Sequence, residues 1–303
     1  MIYLIDASVY VFRAYHSLPV DMVDRDGHPV QAVFGFARML GDLLERARPR
    51  HIAVAFDHTD EPGRLERCFR NRIFPAYKAH RDPMPEGLCL QFERCRQLCD
   101  YLGVTALASN EYEADDLIGT CVATMRREGV RATVITRDKD MAQLIREGDV
   151  YWDFGARNPY SYHDIERRFG VAPERFADYL ALTGDSVDNI PGIPGIGPKT
   201  AALLMKEFAS LDELYGDLDR VDNLKMRGAP GLGGRLRAHR DAAYLARQLT
   251  AIVYEVPLEG GSERLRRRLP DLAGLASFYD KHRFGPFLRK QGERLAELPL
   301  NLS

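Results

Sequence analysis

The sequence predicts an α/β protein: a parallel-sheet core over about residues 1–163, then a mostly helical region over 164–303. Three observations carry this. Short apolar runs alternate with helix-length segments through the first half, the pattern of strands joined by crossover helices. Near residue 164 the strand-like runs stop and helical patterns take over. Several apolar runs also close on aspartate, and in an open parallel sheet the site lies outside the carboxyl ends of the strands.

The elements follow in order. Residues 2–6 (IYLID) read as a strand and 31–47 as a helix stopped by Pro49; residues 51–57 are a second strand. From 58 to 86 the pattern breaks into a polar stretch rich in Arg and Pro, with Phe69, Phe74 and Tyr77 interleaved. Excursions of this length between core elements are usually functional or disordered. A helix over about 85–102 ends at Gly103, and strand 104–108 leads into YEADD and a helix to Glu128, with Gly129 at its C-cap. Strand 131–136, a short helix and strand 149–154 complete the core.

Composition is that of a soluble globular protein, 45% hydrophobic and 28% charged. No run reaches the length of a membrane span, and the N-terminus carries no secretory signal, so the expected setting is the cytoplasm. The five cysteines include no C-x-x-C, and Cys95 and Cys99 have the wrong spacing for the common zinc classes. The net charge of −2 conceals a segregation. Residues 64–81 hold Arg64, Arg67, Arg70, Arg72, Lys78 and Arg81 against Glu66 alone, and residues 225–247 are basic through Lys225, Arg227, Arg235, Arg237 and Arg240. Local basic patches of this kind are the footprint of a polyanion.

Against them stands an acid cluster: Asp6, Asp57, Glu113, Asp115, Asp116, Asp138, Asp140, Asp185 and Asp188. Nine carboxylates in one cleft stay ionised together only with cations among them. Hard oxygen donors suit Mg²⁺ or Mn²⁺, and so dense a set suggests two metals and phosphoryl-transfer chemistry. Within YEADD, Glu113 and Asp115 share a target only at a loop-to-helix junction, because residues two apart face opposite sides of a helix. For that motif alone a helix-capping role is the alternative.

Residues 191–201 read PGIPGIGPKTA. Gly195 and Gly197 make a tight turn, Pro198 suits the first helical position, and Lys199 and Thr200 begin a helix. The order does not match a P-loop, which excludes ATP binding on this ground. Beside basic patches, the turn reads as a helix-hairpin clamp on a DNA backbone. The mixture of cations and aromatics over 58–86, with Arg70 and Arg72, suits tracking of phosphates and stacking of single-stranded bases. Arg13 is either a further phosphate contact or an arginine at the core's edge.

Long, order-preserving motifs carry a resemblance: LIDASVYVFRAYHSL, GHPVQAVFGFARML, AVAFD, FPAYKAHRDPMP, YEADDLIGT, TRDKDMAQL and YLALTGDSVDNIPGIPGIGPKTAALL. Through them the chain resembles the 5′-nuclease (flap endonuclease) family over nearly its whole length. The resemblance implies a resolvase-like (PIN-like) core, a helical arch over about 58–86, and a helix-two-turn-helix motif over about 180–210. It also implies two divalent metals held by the nine acids, K⁺ held by backbone carbonyls of that motif, Lys78 and Arg81 as arch cations acting on the substrate, and Tyr77 as a stacking aromatic. Which acid meets which metal is not legible in the sequence; the working division puts Asp6, Asp57, Glu113 and Asp115 nearer one metal and Asp138, Asp140, Asp185 and Asp188 nearer the other, with ligands shared between them and Asp116 bridging or standing behind. Ala7 stands where the family commonly has Gly, which removes no ligand.

The expected activity is Mg²⁺-dependent 5′–3′ exonuclease and flap endonuclease action on DNA with free 5′ ends, flaps, nicks or branched junctions, alongside a DNA polymerase using the same substrate. The alternatives are a PIN-like or RNase H-like ribonuclease and a non-catalytic binder of branched DNA. The dense acid set argues against the binder, which gains nothing from repelling phosphates.

Overall fold

The computed structural model describes residues 1–57, 68–156, 158–226 and 228–299. Five strands, β1 (Ile2–Asp6), β2 (His51–Ala55), β3 (Thr105–Leu107), β4 (Ala132–Ile135) and β5 (Val150–Trp152), form one sheet in the order β3-β2-β1-β4-β5. Every pairing is parallel. Asp6 lies opposite Ala55, and Ile5 opposite Ile135, so the central strand ends level with its neighbours. The chain winds outward from β1 through β2 and β3 on one side, then through β4 and β5 on the other. The reversal falls between β1 and β4, which is where an open sheet leaves a crevice.

The strands read as near-continuous apolar runs because both faces are covered. Alternation along β1 divides the core: Ile2 and Leu4 join one cluster with Leu117, Val134, Phe176 and Leu204, while Ile5 joins another with Phe36, Leu40, Val54, Phe92 and Phe278. All five strands fall where the sequence predicts them, each shorter by up to three residues except β1. Among the described residues no strand follows β5.

Two features depart from the sequence reading. Residues Ala7–Ser17 form a helix, α1, directly after β1. Its β-branched and aromatic residues disguise it, yet Ala7, Tyr10, Val11 and Ala14 are buried at helical spacing. Asp6 caps it, accepting from the Ser8 amide at 3.1 Å. At the far end, helices Leu272–Lys281 and Pro286–Glu297 return to the core instead of staying with the helical region. The first packs on helix Glu86–Tyr101 and the second on α2 (Gln31–Ala47), where Gln291 donates to Asp42 and Glu45, and Arg294 pairs with Glu45 at 2.7 Å. No described helix is long and apolar enough to cross a membrane.

Candidate active site

The acids gather at the carboxyl ends of the strands. Asp6 ends β1, Asp57 follows β2, Asp138 follows β4, and Glu113 and Asp115 open helix Ala114–Arg127. With Ser8, Val9, Phe12, Lys78 and Arg81 they line a cleft of about 220 Å³. A larger cavity of about 340 Å³ lies along the far half of that helix, at Thr120, Cys121, Tyr254 and Leu265, and collects no comparable charge.

Hydrogen bonds fix the carboxylates from behind. Asp6 accepts from Ser8 N and from Thr136 Oγ1 at 2.9 Å. Asp57 accepts from Ser8 Oγ at 2.9 Å and from Ala114 N at 3.0 Å, tying β2 to the start of the helix. Asp138 accepts from Asp140 N. Asp185 accepts from Val187 N and pairs with Lys139 at 2.7 Å.

Burial, then the charges of Asp57 and Asp138, push Asp6 up to about 7. Burial and the charges of Asp138, Asp6, Asp57 and Glu113 push Asp115 well up. Asp138 and Asp140 are raised mainly by burial, with Asp185 and Asp188 adding to the repulsion at Asp140. Glu113 is the exception: burial would raise it, but Lys78 and Arg70 overcome this and hold it at about 2. Asp140 Oδ1 is buried with no hydrogen-bond partner. An all-oxygen donor set, mutual repulsion and an orphaned carboxylate oxygen together fit a hard divalent cation. Elsewhere, Asp24, Asp26 and His28 also bring ligand atoms within 4.8 Å of one another, but Asp24 is already occupied by Arg94 at 2.7 Å and by two backbone amides.

The roles expected of Arg70 and Tyr77 need correction, and Asp116 takes the second of its two expected places, behind the cleft acids. Arg70 does not face DNA. It is 3% exposed and forks onto both oxygens of Asp116 at 2.6 and 2.9 Å, while donating to the carbonyls of Leu249 and Ala251. Asp116 is for the same reason not open to a metal. Its oxygens also accept from the amides of Glu113 and Val253, so it caps the helix and anchors the distant chain. Tyr77 is 2% exposed and its hydroxyl donates toward Glu113 at 2.9 Å and Asp188 at 3.1 Å, which leaves no ring face for a base.

Lys78, Arg81, Arg72 and Arg13 pair with carboxylates of the chain. Lys78 Nζ enters the cleft, 2.6 Å from Glu113 and 3.6 Å from Asp188, and Arg81 pairs with Asp188. Arg72 is exposed and pairs with Glu111; Arg13 is partly exposed and pairs with Asp153 at 2.7 Å. Of the cations expected at the basic patches, Arg64, Arg67 and Arg227 lie outside the described residues.

The glycine turn projects from the helical region on Ile193 and Ile196, both buried. Gly195 has φ +77°, and a Cβ there would stand 2.4 Å from the Arg235 guanidinium. Gly197 has ordinary extended backbone, and a Cβ there meets nothing within 4 Å. Lys199 is exposed. Pro198 starts the helix, and the first-turn amides of Lys199 and Thr200 have no intrahelical acceptor.

Sequence reasoning missed Ser8, Thr136 and Lys139, which support Asp57, Asp6 and Asp185. The signal was present in part: Thr136 and Lys139 lie inside TRDKD itself, and Ser8 is two residues past the first acid.

Known proteins resemble the chain in sequence and in fold. Residues 1–170 match the family model for the 5′-3′ exonuclease N-terminal resolvase-like domain, and residues 171–273 match the 5′-3′ exonuclease C-terminal SAM fold. A thermostable DNA polymerase I of Thermus filiformis is 37% identical over 98% of the chain and 34% of its own length. The chain thus spans about a third of that relative. A 5′-3′ exonuclease of Buchnera aphidicola is 30% identical over 87% of the chain and 90% of its own length. In fold, the chain resembles T5 5′-exonuclease with bound divalent metal ions (zinc), with a TM-score of 0.64 at 19% identity, covering 98% of each chain. It also resembles the catalytic core of Rad2 in complex with a DNA substrate, with a TM-score of 0.58 at 17% identity, covering 99% of this chain and 92% of that one. The chain belongs to the 5′–3′ exonuclease family of nucleases.

Proposed function

We propose that the chain is a Mg²⁺-dependent 5′–3′ exonuclease and flap endonuclease that hydrolyses DNA to 5′-phosphate and 3′-hydroxyl products. Residues 1–163 carry the chemistry, and residues 164–303 hold duplex DNA through the turn at Gly195–Thr200. The observation that carries the reading is the raised set Asp6, Asp115, Asp138 and Asp140 with its orphaned Asp140 oxygen, a site short of positive charge. Asp6, Asp57, Glu113 and Asp115 would hold one ion and Asp138, Asp140, Asp185 and Asp188 a second, Mn²⁺ replacing Mg²⁺. When bound, the ions supply Lewis-acid activation of water and of the phosphodiester.

The chain's own residues do the rest. Lys78 and Arg81 present cations at the cleft mouth, where a scissile phosphate gains charge in the transition state. Ser8 and Thr136 keep the carboxylates of Asp57 and Asp6 turned inward. K⁺ at the carbonyls of residues 180–210 would steady the duplex clamp. The substrates proposed are flaps, nicks and branched junctions with free 5′ ends, met in the bacterial cytoplasm alongside a DNA polymerase.

The test is a gel assay on labelled flap, nicked and single-stranded DNA, and on RNA of the same sequence, with Mg²⁺ or with excess chelator. Cleavage of the DNA flap should require the ion and disappear in chelator. Undiminished turnover in chelator removes the metal mechanism, and preferential cutting of RNA moves the chain to ribonuclease chemistry.

A further inference from the structure

Lys78 reaches the acid cleft from an unfavourable backbone. Its φ is +54°, a left-handed conformation that a non-glycine residue keeps only where its surroundings impose it. The surroundings here are specific. Asn71 Nδ2 donates to the Tyr77 carbonyl at 2.7 Å, and Asn189 Nδ2 donates to the Ala76 carbonyl at 2.7 Å. The Lys78 amide donates to the Asp188 carbonyl at 3.0 Å. The Tyr77–Lys78 peptide is thereby held at both its oxygen and its N–H, and the peptide before it at its oxygen.

The two asparagines come from different elements. Asn71 is buried in helix Phe69–Ile73, and Asn189 is exposed in the loop after helix Phe176–Thr183, itself at φ +58°. Neither side-chain amide donates to a carboxylate of the cleft.

We propose that Asn71 and Asn189 are positioning residues for the nuclease reaction, gripping consecutive carbonyls so that the Lys78 ammonium is delivered into the cleft. This rests on the reading of Lys78 as a group acting on the reacting phosphodiester. The loop bearing Asn189 leads directly into the glycine turn, so the same grip joins the duplex-holding region to the reacting one.

The experiment is a double-mutant cycle read as single-turnover flap cleavage in Mg²⁺ at saturating protein, with affinity titrated separately in Ca²⁺. Asn189→Gly deletes the amide while glycine adopts the positive φ without strain. It should slow cleavage about tenfold or more, as small misplacements of a reacting group do, with affinity changed by no more than about twofold. In the Lys78→Ala background the same change should cost nothing further, because its route runs through Lys78. Asn71→Ala should behave likewise. Asn189 is exposed, so its variant stands as the test even where the Asn71 variant folds poorly. Wild-type cleavage by Asn189→Gly, or losses that multiply in the double variant, overturns the inference while leaving the nuclease reading intact. A Lys78→Ala variant that cleaves at the wild-type rate overturns the role given to Lys78, and this inference with it.

Discussion

In the proposed function the acid cleft and the glycine turn both meet phosphate, and they are built in opposite ways. In and around the cleft carboxylates are committed: Glu113 to Lys78 and Tyr77, Asp57 to Ser8 and Ala114, Asp6 to Ser8 and Thr136, and Asp185 beyond its lining to Lys139. At the turn, Lys199 and Arg235 are exposed, and among the described residues neither takes part in an ion pair. Nearby cations that do have partners, Arg220 with Glu207 and Glu213 and Arg247 with Asp178 and Asp212, hold the helical region together. Reaction demands groups fixed before the substrate arrives, whereas backbone recognition needs only accessible charge and bare amides.

The comparison breaks most clearly on rate. Asp138→Asn removes a charge of the cleft, and Asp185→Asn one of the acids acting on Asp140, each at constant volume. Single-turnover cleavage should fall by about two orders of magnitude or more, with flap affinity in Ca²⁺ largely retained. Cleavage at the wild-type rate by both variants would dismiss the cleft as the reacting centre.

Stability sharpens the contrast next. Arg70→Met strands the buried charge of Asp116, a change that costs about 3–5 kcal/mol. A melting temperature lower by on the order of 10 °C is expected. If the variant instead melts as wild type does and loses DNA affinity, Arg70 belongs with the phosphate contacts after all.

The turn should respond only in binding. Gly197→Val meets no protein atom, so melting and saturated cleavage should be unchanged while duplex affinity weakens by roughly 1 kcal/mol, about fivefold. An equal affinity, titrated at fixed salt, returns the turn to an ordinary capped helix.

The smallest effect is in pH. The folded state holds the Asp6 proton up to about 7, against 3.8 in the unfolded chain, so it binds more protons across that window and stability falls as pH rises through it. Metal-free protein should melt a few degrees lower at pH 7.5 than at pH 5, and Asp6→Asn should flatten the trend. Glu113 does not mask this, since its depressed value places its contribution above 4.5, with loss only on going down toward 2. Mg²⁺ should raise the melting temperature more at pH 7.5 than at pH 5. A metal-free protein that is more stable at the higher pH contradicts the charge assignment of the cleft.

What the sequence made legible was periodicity and strand ends. IYLID, TRDKD and YEADD declared both the sheet and the acids, because a strand in a parallel sheet aims its last residues at one rim. What stayed hidden was the orientation of a cation within a charged run. Arg70 and Arg72 are alike in composition and two residues apart on one short helix, so they face opposite sides. One lies under Asp116, 46 residues away, and the other on the surface beside Glu111. Tyr77 was misjudged in the same way, since nothing local shows that Glu113 and Asp188 converge on its hydroxyl. The hold of Asn189 on Ala76 spans 113 residues of chain and had no local trace, whereas Asn71 reaches a carbonyl only six residues on.

Asp6 is at once the N-cap of α1 and an acid of the cleft. The Ser8 amide is therefore hydrogen-bonded to an acid that lines the cleft. A cation entering the cleft withdraws electron density from that acceptor, and the Ser8 amide proton should shift with it. The fold thus carries its own gauge of occupancy, readable by amide NMR with no label placed in the cleft.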